Sequence, residues 1–322
     1  MRTKENWPRR KVLLGALGLG AGLAAWEHAQ ARGAPVEARP AEAADVAHAP
    51  PPFARQECRT SDDVRLNILE CRPAPTRQSA GANDPTVLLV PGWCMPASIW
   101  GAQLGALGAR WRTLAMDPRG QGDSEVAAAG YTPDRRADDL HDVLAGHERV
   151  VLVAWSLGVL EALHYIYRHG SGRLLALALV DNSVGEPPAP KPTDFIAQLR
   201  RARSATVERF VRSLFAHPVP ESQIIALREA ALRMPLEDSI ALLSYPLPRE
   251  HWRAVARAFD RPLAYIITPR YREQSQHLQQ ARPATRVEIF EQAGHALFVD
   301  EAARFNGFVE GWIESLGGPP SS

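Results

Sequence analysis

Lysine is almost missing from this chain of 322 residues: Lys4, Lys11 and Lys191 stand against 34 arginines. The arginines form no tract interleaved with aromatics, which excludes nucleic acid as the expected partner. Net charge is scarce too, at +1, so no strong field steers a polyanion towards the protein. Three cysteines, Cys58, Cys71 and Cys94, are too few for a disulfide framework. If Phe53 to Cys71 is a hairpin turning at Asp62-Asp63, Cys58 faces Asn67. Four residues of strand, about 13 Å, then separate that position from Cys71, which argues against a bridge. Long apolar runs are also absent. Val12 to Trp26 falls short of the ~20 residues that span a bilayer, so no stable membrane span is expected.

What the N-terminus does carry is a leader pattern. Arg9-Arg10-Lys11 precedes the modest apolar run, and Ala29-Gln30-Ala31 supplies small residues for cleavage. Residues 1–31 therefore read as a signal peptide. The paired arginines resemble a twin-arginine leader, with Pro8 where Ser or Thr is usual. Export to the periplasm or medium is the expectation. Residues 32–52, rich in Ala and Pro, read as a disordered tether.

With 45% hydrophobic and 23% charged residues, the remainder has the composition of a globular domain. After the hairpin, apolar strand-length runs alternate with helical patterns. The strands are Val87 to Val90, Arg112 to Asp117, Val150 to Ala154, Leu174 to Val180, Pro262 to Thr268 and Arg286 to Phe290. Such βα alternation predicts an α/β fold, a mainly parallel doubly wound sheet with helices on both faces. Thr132-Pro133 caps one helix. Phe305, Phe308, Val309, Trp312, Ile313 and Leu316 share one face of the last. Between residues 183 and 260 the β rhythm stops. Proline joints there separate helical stretches Thr193 to Arg201, Ala205 to Phe215, Glu221 to Met234, Leu236 to Leu243 and Arg249 to Phe259. This segment is an inserted helical cap on a core of residues 53–182 and 261–322.

The stretch RVVLVAWSLGVLEALHYI, from Arg149 to Ile166, organises the rest. A buried strand turns into a helix within three residues, which lifts Ser156 above the sheet edge beside a helix N-terminus. Ala154-Trp155-Ser156-Leu157-Gly158 is a nucleophile elbow whose first glycine has become alanine. A serine needs a base, and His295 lies in a glycine turn after the strand RVEIF, just before the final helix. The other nine histidines have no comparable context. For a developing oxyanion, Leu157 N–H offers one donor and Trp93 N–H a second, in Pro91-Gly92-Trp93-Cys94-Met95-Pro96. Cys94 and Met95 are expected to line the substrate pocket rather than react.

The strings PGWCMPASIWGAQL, MDPRGQGDS, ADDLHDVL, AWSLG and AGHALFVDEAARFNGFV, in this order from Phe53 to Leu316, resemble the α/β-hydrolase fold family. The branch is that of capped serine esterases, lactonases and cofactor-free haloperoxidase-like enzymes. The resemblance implies that Arg119 and Asp123 pin backbone within the loop Asp117 to Ser124. It also implies an acid a few residues past the strand Pro262 to Thr268, where Tyr271 stands instead. Glu273 lies two residues on; some relatives draw the acid from the preceding strand, here Asp181. Asp181 is preferred and Glu273 stays open. The expected activity is cleavage of a carboxylic ester or lactone in a small molecule through an acyl-enzyme on Ser156. His295 is the base, and no metal or organic cofactor takes part. Phe195, Phe210, Phe215, Leu242, Leu243 and Trp252 are candidate pocket walls. Perhydrolysis, carbon–carbon bond hydrolysis and a non-catalytic binding protein are the alternatives, and oligomeric state is open.

Overall fold

In a computed structural model the described residues are 53–74 and 84–316. The leader and the tether expected from the sequence lie outside them. The polar, exposed strand β1 (Ala54–Arg59) pairs antiparallel with β2 (Arg65–Cys71) and closes one edge of an eight-stranded sheet. Its charged side chains suit an edge, where a flat apolar strand would invite pairing with another chain. The turn between them holds Asp63 at φ 64°. The register places Cys58 opposite Leu66, one residue from the expected Asn67. Asp63 N–H donating to Thr60 O, and Thr60 N–H to Val64 O, leave residues 61–63 in the turn, one more than a two-residue turn at Asp62-Asp63. All three cysteines are free.

The chain then alternates: β3 (Thr86–Val90), α1 (Gly101–Gly108), β4 (Thr113–Met116), α2 (Pro133–Leu144), β5 (Val150–Trp155), α3 (Leu157–His169) and β6 (Leu174–Val180). Thr132 Oγ1 accepts from Arg135 N–H and caps α2, with Pro133 at its first position. After β6 come α4 (Phe195–Ser213), α5 (Glu221–Arg233), α6 (Leu236–Ala241) and α7 (Arg249–Ala258). The sheet resumes with β7 (Leu263–Ile267), α8 (Arg272–Ala281) and β8 (Arg286–Ile289), followed by α9 (Leu297–Asp300) and α10 (Ala302–Leu316). Strand order is β1-β2-β4-β3-β5-β6-β7-β8, parallel from β4 onwards. Central strand β5 is buried at every position, which is why it reads as an unbroken apolar run. On α10, Phe305, Val309, Trp312 and Ile313 are buried against the core. Among the described residues no helix is long and apolar enough to cross a membrane.

The two helical stretches that the sequence separates meet at a kink inside α4: Ala202, at φ −152° and ψ 65°, is not helical and parts one helix from the next. The four-helix segment is strapped at its root. Arg257 on α7 donates from Nε and Nη2 to the buried Glu186 carboxylate at 2.5 and 2.7 Å, just past β6. Gly185 beside it has φ +85°, and a Cβ there would strike the Arg249 carbonyl oxygen.

The loop after β4 is pinned, though not as the resemblance implied. Asp117 is the residue that holds backbone, accepting from Ala97 and Asp123 N–H and from Asn67 Nδ2. Gly122, at φ +49°, leaves room for that carboxylate; a Cβ would sit 1.9 Å from Asp117 Oδ1. Arg119 pins the Ala129 carbonyl but mainly grips both oxygens of Asp139, with Asp62 as a further partner. The Asp123 side chain points outward to Arg55. A loop carboxylate with an exposed arginine within reach gains nothing by turning inwards.

Candidate active site

Ser156 occupies the turn between β5 and α3 with φ 54° and ψ −121°. A β-carbon at positive φ costs of order 1–3 kcal/mol, and the surroundings hold it there. Ser156 N–H donates to Val180 O at 2.9 Å, and its carbonyl accepts from Asn182 Nδ2 at 2.6 Å. Close packing on the other side demands small residues. A Cβ on Gly158 would lie 2.9 Å from Pro91 O and 3.0 Å from Val90 O. One on Gly92 would lie 2.8 Å from Ser156 Cβ. The start of α3, the end of β3 and the serine are therefore in contact.

His295 Nε2 stands 2.9 Å from Ser156 Oγ, and its Nδ1 stands 2.7 Å from Asp181 Oδ2. An ionised carboxylate can only accept, so Nδ1 carries the proton and Nε2 presents a lone pair to the serine hydroxyl. Asp181, at φ 44°, is 2% exposed. Its second oxygen accepts from Thr268 N–H and Thr268 Oγ, both at 2.8 Å, at the end of β7. Three donors therefore satisfy this buried carboxylate. Glu273, in contrast, is exposed in the first turn of α8. Tyr271, where the family pattern expects an acid, is buried, and burial pushes its phenol up from the usual range.

Above the serine, residues 92–95 form a turn closed by Met95 N–H donating to Gly92 O at 3.2 Å. Cys94 occupies its third position at φ 55°. Burial pushes the Cys94 thiol up to about 12, so it is a neutral, inert group. Cys94 and Met95 are both fully buried and present no surface to a substrate in this conformation. Among the described residues Leu157 N–H, at the first position of α3, and Trp93 N–H have no backbone acceptor. Leu157 follows the serine in the chain, and Gly92, next to Trp93, packs against it. The Trp93 ring meets Phe195 and Phe210 of α4 edge-on, at 5.5 and 5.2 Å, and its Nε1 donates to Ser239 O of α6 at 2.7 Å. Trp252 packs elsewhere, against His164 and His251 where α7 crosses α3.

The sequence reading missed two groups here. Asp300 accepts from Gly294 N–H at 2.7 Å and from Ala216 N–H at 2.8 Å, tying the turn before His295 to the end of α4. His164, treated as one histidine among nine, has an aspartate partner as well: its Nε2 is 2.6 Å from Asp134 Oδ1 and its Nδ1 is 3.0 Å from His251 Nε2. Thirty residues separate Asp134 and His164 in the chain, so no local signal marks the pair. Among the described residues no group of three or more His, Cys, Asp or Glu could hold a metal ion.

Comparison with known proteins agrees with this architecture. A non-heme chloroperoxidase of Kitasatospora aureofaciens is 40% identical over 97 residues, 29% of this chain and 35% of that protein. The chain thus matches only about a third of that relative's length. A pimeloyl-(acyl-carrier protein) methyl ester esterase of Vibrio atlanticus is 27% identical over 244 residues, 69% of this chain and 91% of the esterase. Among solved structures, a bromoperoxidase from Bacillus anthracis superposes with a TM-score of 0.69 at 20% identity, covering 81% of this chain and 100% of that one. The model of the alpha/beta hydrolase family matches residues 87–308. With the elbow, the parallel sheet and the histidine turn all inside that span, the chain belongs to the alpha/beta hydrolase family.

Proposed function

We propose that the protein is an exported serine hydrolase that cleaves an ester-type bond, a carboxylic ester or lactone, in a small molecule. What carries the reading is the line Asp181–His295–Ser156, with 2.7 and 2.9 Å hydrogen bonds in one tautomer. Ser156 Oγ attacks the carbonyl while His295 Nε2 takes its proton. The tetrahedral oxyanion is held by Trp93 and Leu157 N–H, with the N-terminus of α3 adding its dipole. His295 then protonates the departing alcohol, and water, activated by the same imidazole, releases the acyl group. Asp181 keeps Nδ1 protonated and balances the imidazolium.

Support for ester chemistry comes from the esterase relative. Support for an apolar acyl group comes from Trp93, Phe195 and Phe210 gathered beside the donor loop. Ser156 and His295 are 6% and 9% exposed, and helices α4 to α7, which bring Phe195 and Phe210 to Trp93, form the cap in this reading. Export rests on the leader pattern alone. Finding an intact Met1 on secreted material would exclude cleavage after Ala31.

A fluorophosphonate probe tests the chemistry: Ser156 becomes labelled, and labelling is lost in His295→Ala. A folded protein that stays unlabelled overturns the reading. Short- and long-chain p-nitrophenyl esters and a lactone panel then place the substrate, with longer acyl chains preferred. The chloroperoxidase match favours a second reading, peroxide-dependent turnover at the same serine, which a peroxide-coupled halogenation assay separates.

A further inference from the structure

The residue that aims the Trp93 donor is not in the donor loop. Gln121, fully buried in the loop after β4, donates from Nε2 to Gly92 O at 3.0 Å and to Met95 O at 2.9 Å. Its Oε1 accepts from Arg136 Nη2 at 3.3 Å. Arg136 is itself buried and paired with Glu161 on α3, Nε to Oε1 at 2.7 Å and Nη2 to Oε2 at 3.1 Å. Tyr245, just before α7, donates to Glu161 Oε1 at 3.1 Å. The amide of Gln121 is therefore satisfied on both ends and cannot turn over.

Peptide geometry supplies the consequence. Gly92 C=O and Trp93 N–H belong to one trans peptide, so they point in opposite directions from the same rigid plane. Two donors, Met95 N–H and Gln121 Nε2, hold the carbonyl on one side of that plane. The N–H is thereby forced to the other side. Gly92 touches Ser156, as its missing Cβ shows. The turn does not hold this plane unaided, because its third residue, Cys94, sits at φ 55° without being glycine. A turn of this kind favours glycine there, and relaxing the strain rotates the neighbouring peptides.

We infer that Gln121 is a positioning residue for catalysis: it fixes the Gly92–Trp93 peptide plane so that Trp93 N–H faces the oxyanion. The inference rests on the proposed acyl-enzyme reading. Gln121 touches no substrate, and its action passes entirely through the Gly92 and Met95 carbonyls. The Arg136–Glu161 pair keeps its amide from flipping, which would set Oε1 against two carbonyl oxygens.

Gln121→Glu keeps the volume and the Arg136 partner while removing the donor. It should lower kcat on a p-nitrophenyl ester about 10- to 100-fold, with KM within about twofold. An alkyl boronic acid, whose tetrahedral adduct carries the oxyanion, should bind more weakly by a similar factor. Active sites counted by fluorophosphonate titration should stay at the wild-type number. Gln121→Met repeats the test if the glutamate variant does not fold. A titratable protein whose per-site kcat and boronate affinity stay within twofold of wild type overturns the inference. So does a loss of activity that merely follows a loss of titratable sites, the mark of a structural role. If the wild type itself neither labels nor hydrolyses esters, the acyl-enzyme reading fails, and that result is read before any variant is made.

Discussion

Among the described residues three aspartate–histidine pairs meet helix α3, the third being Asp138–His169 at its C-terminal end, and only one of them faces a serine. At the N-terminus of the helix, Asp181 is buried, takes two further hydrogen bonds from Thr268 and holds His295 towards Ser156. Midway along it, His164 has Asp134 on one nitrogen and His251 of α7 on the other. The Asp134 side chain is 63% exposed and the Asp181 side chain 2%. The chemistry of the pairs is nearly the same; their surroundings are not. A buried carboxylate with three fixed donors holds its histidine in one orientation. An exposed one exchanges partners with water and its charge is screened. In the proposed mechanism the first pair moves a proton to and from a hydroxyl; the second joins α3 to α7.

Removing the hydroxyl that the first pair faces should be the most damaging change. Ser156→Ala is expected to lower kcat/KM by at least about 10⁴-fold with the melting temperature little changed, measured by ester hydrolysis and calorimetry. Residual turnover within tenfold of wild type would dissolve the contrast between the pairs. Asp181→Asn should follow, at about 10³- to 10⁴-fold in kcat, because the amide favours the wrong imidazole tautomer. Glu273→Gln should stay within twofold in the same assay, and the opposite order would move the acid role to Glu273.

The second pair should answer to acid instead. Burial, reinforced by the neighbouring His164, holds the His251 imidazole down at about 4, and burial lowers His164 too. The unfolded chain takes up these protons near the ordinary value of ~6.5, before the folded protein does. Their contribution to stability is thus complete above about pH 6.5 and is lost as the pH falls towards 4. His251→Gln should flatten that slope by roughly 1–2 kcal/mol, a figure reduced for partial exposure, seen as melting temperature against pH. An unchanged slope would assign the acid sensitivity to other groups. Asp134→Asn should be mildest: under about 1 kcal/mol in stability, with kcat within twofold. A loss of activity comparable with Asp181→Asn would erase the distinction.

Much of the architecture was legible in local pattern. Buried runs such as Val150 to Ala154 can only be strands covered on both faces, and the spacing from Phe305 to Leu316 can only be one docked face. The register of the first hairpin was one residue out, because it depends on how tightly Thr60 to Val64 closes. The break expected between Arg201 and Ala205 is there, at the non-helical Ala202. Asp123 was given a task that Asp117 performs, both being acidic loop residues until an arginine neighbour separates them.

By itself the sequence determined the order of strands and helices, the sharp turn that must lift Ser156 and the turn that carries His295. Each depends on residues a few positions apart. Only the tertiary structure decided which carboxylate meets His295: Asp181 lies 114 residues away in the chain, delivered by the parallel pairing of β6 with β7. It alone decided that His164 should meet His251 and that Gln121 should hold Gly92. Such contacts join side chains from separate elements, and their geometry exists only once the sheet has set its strands side by side.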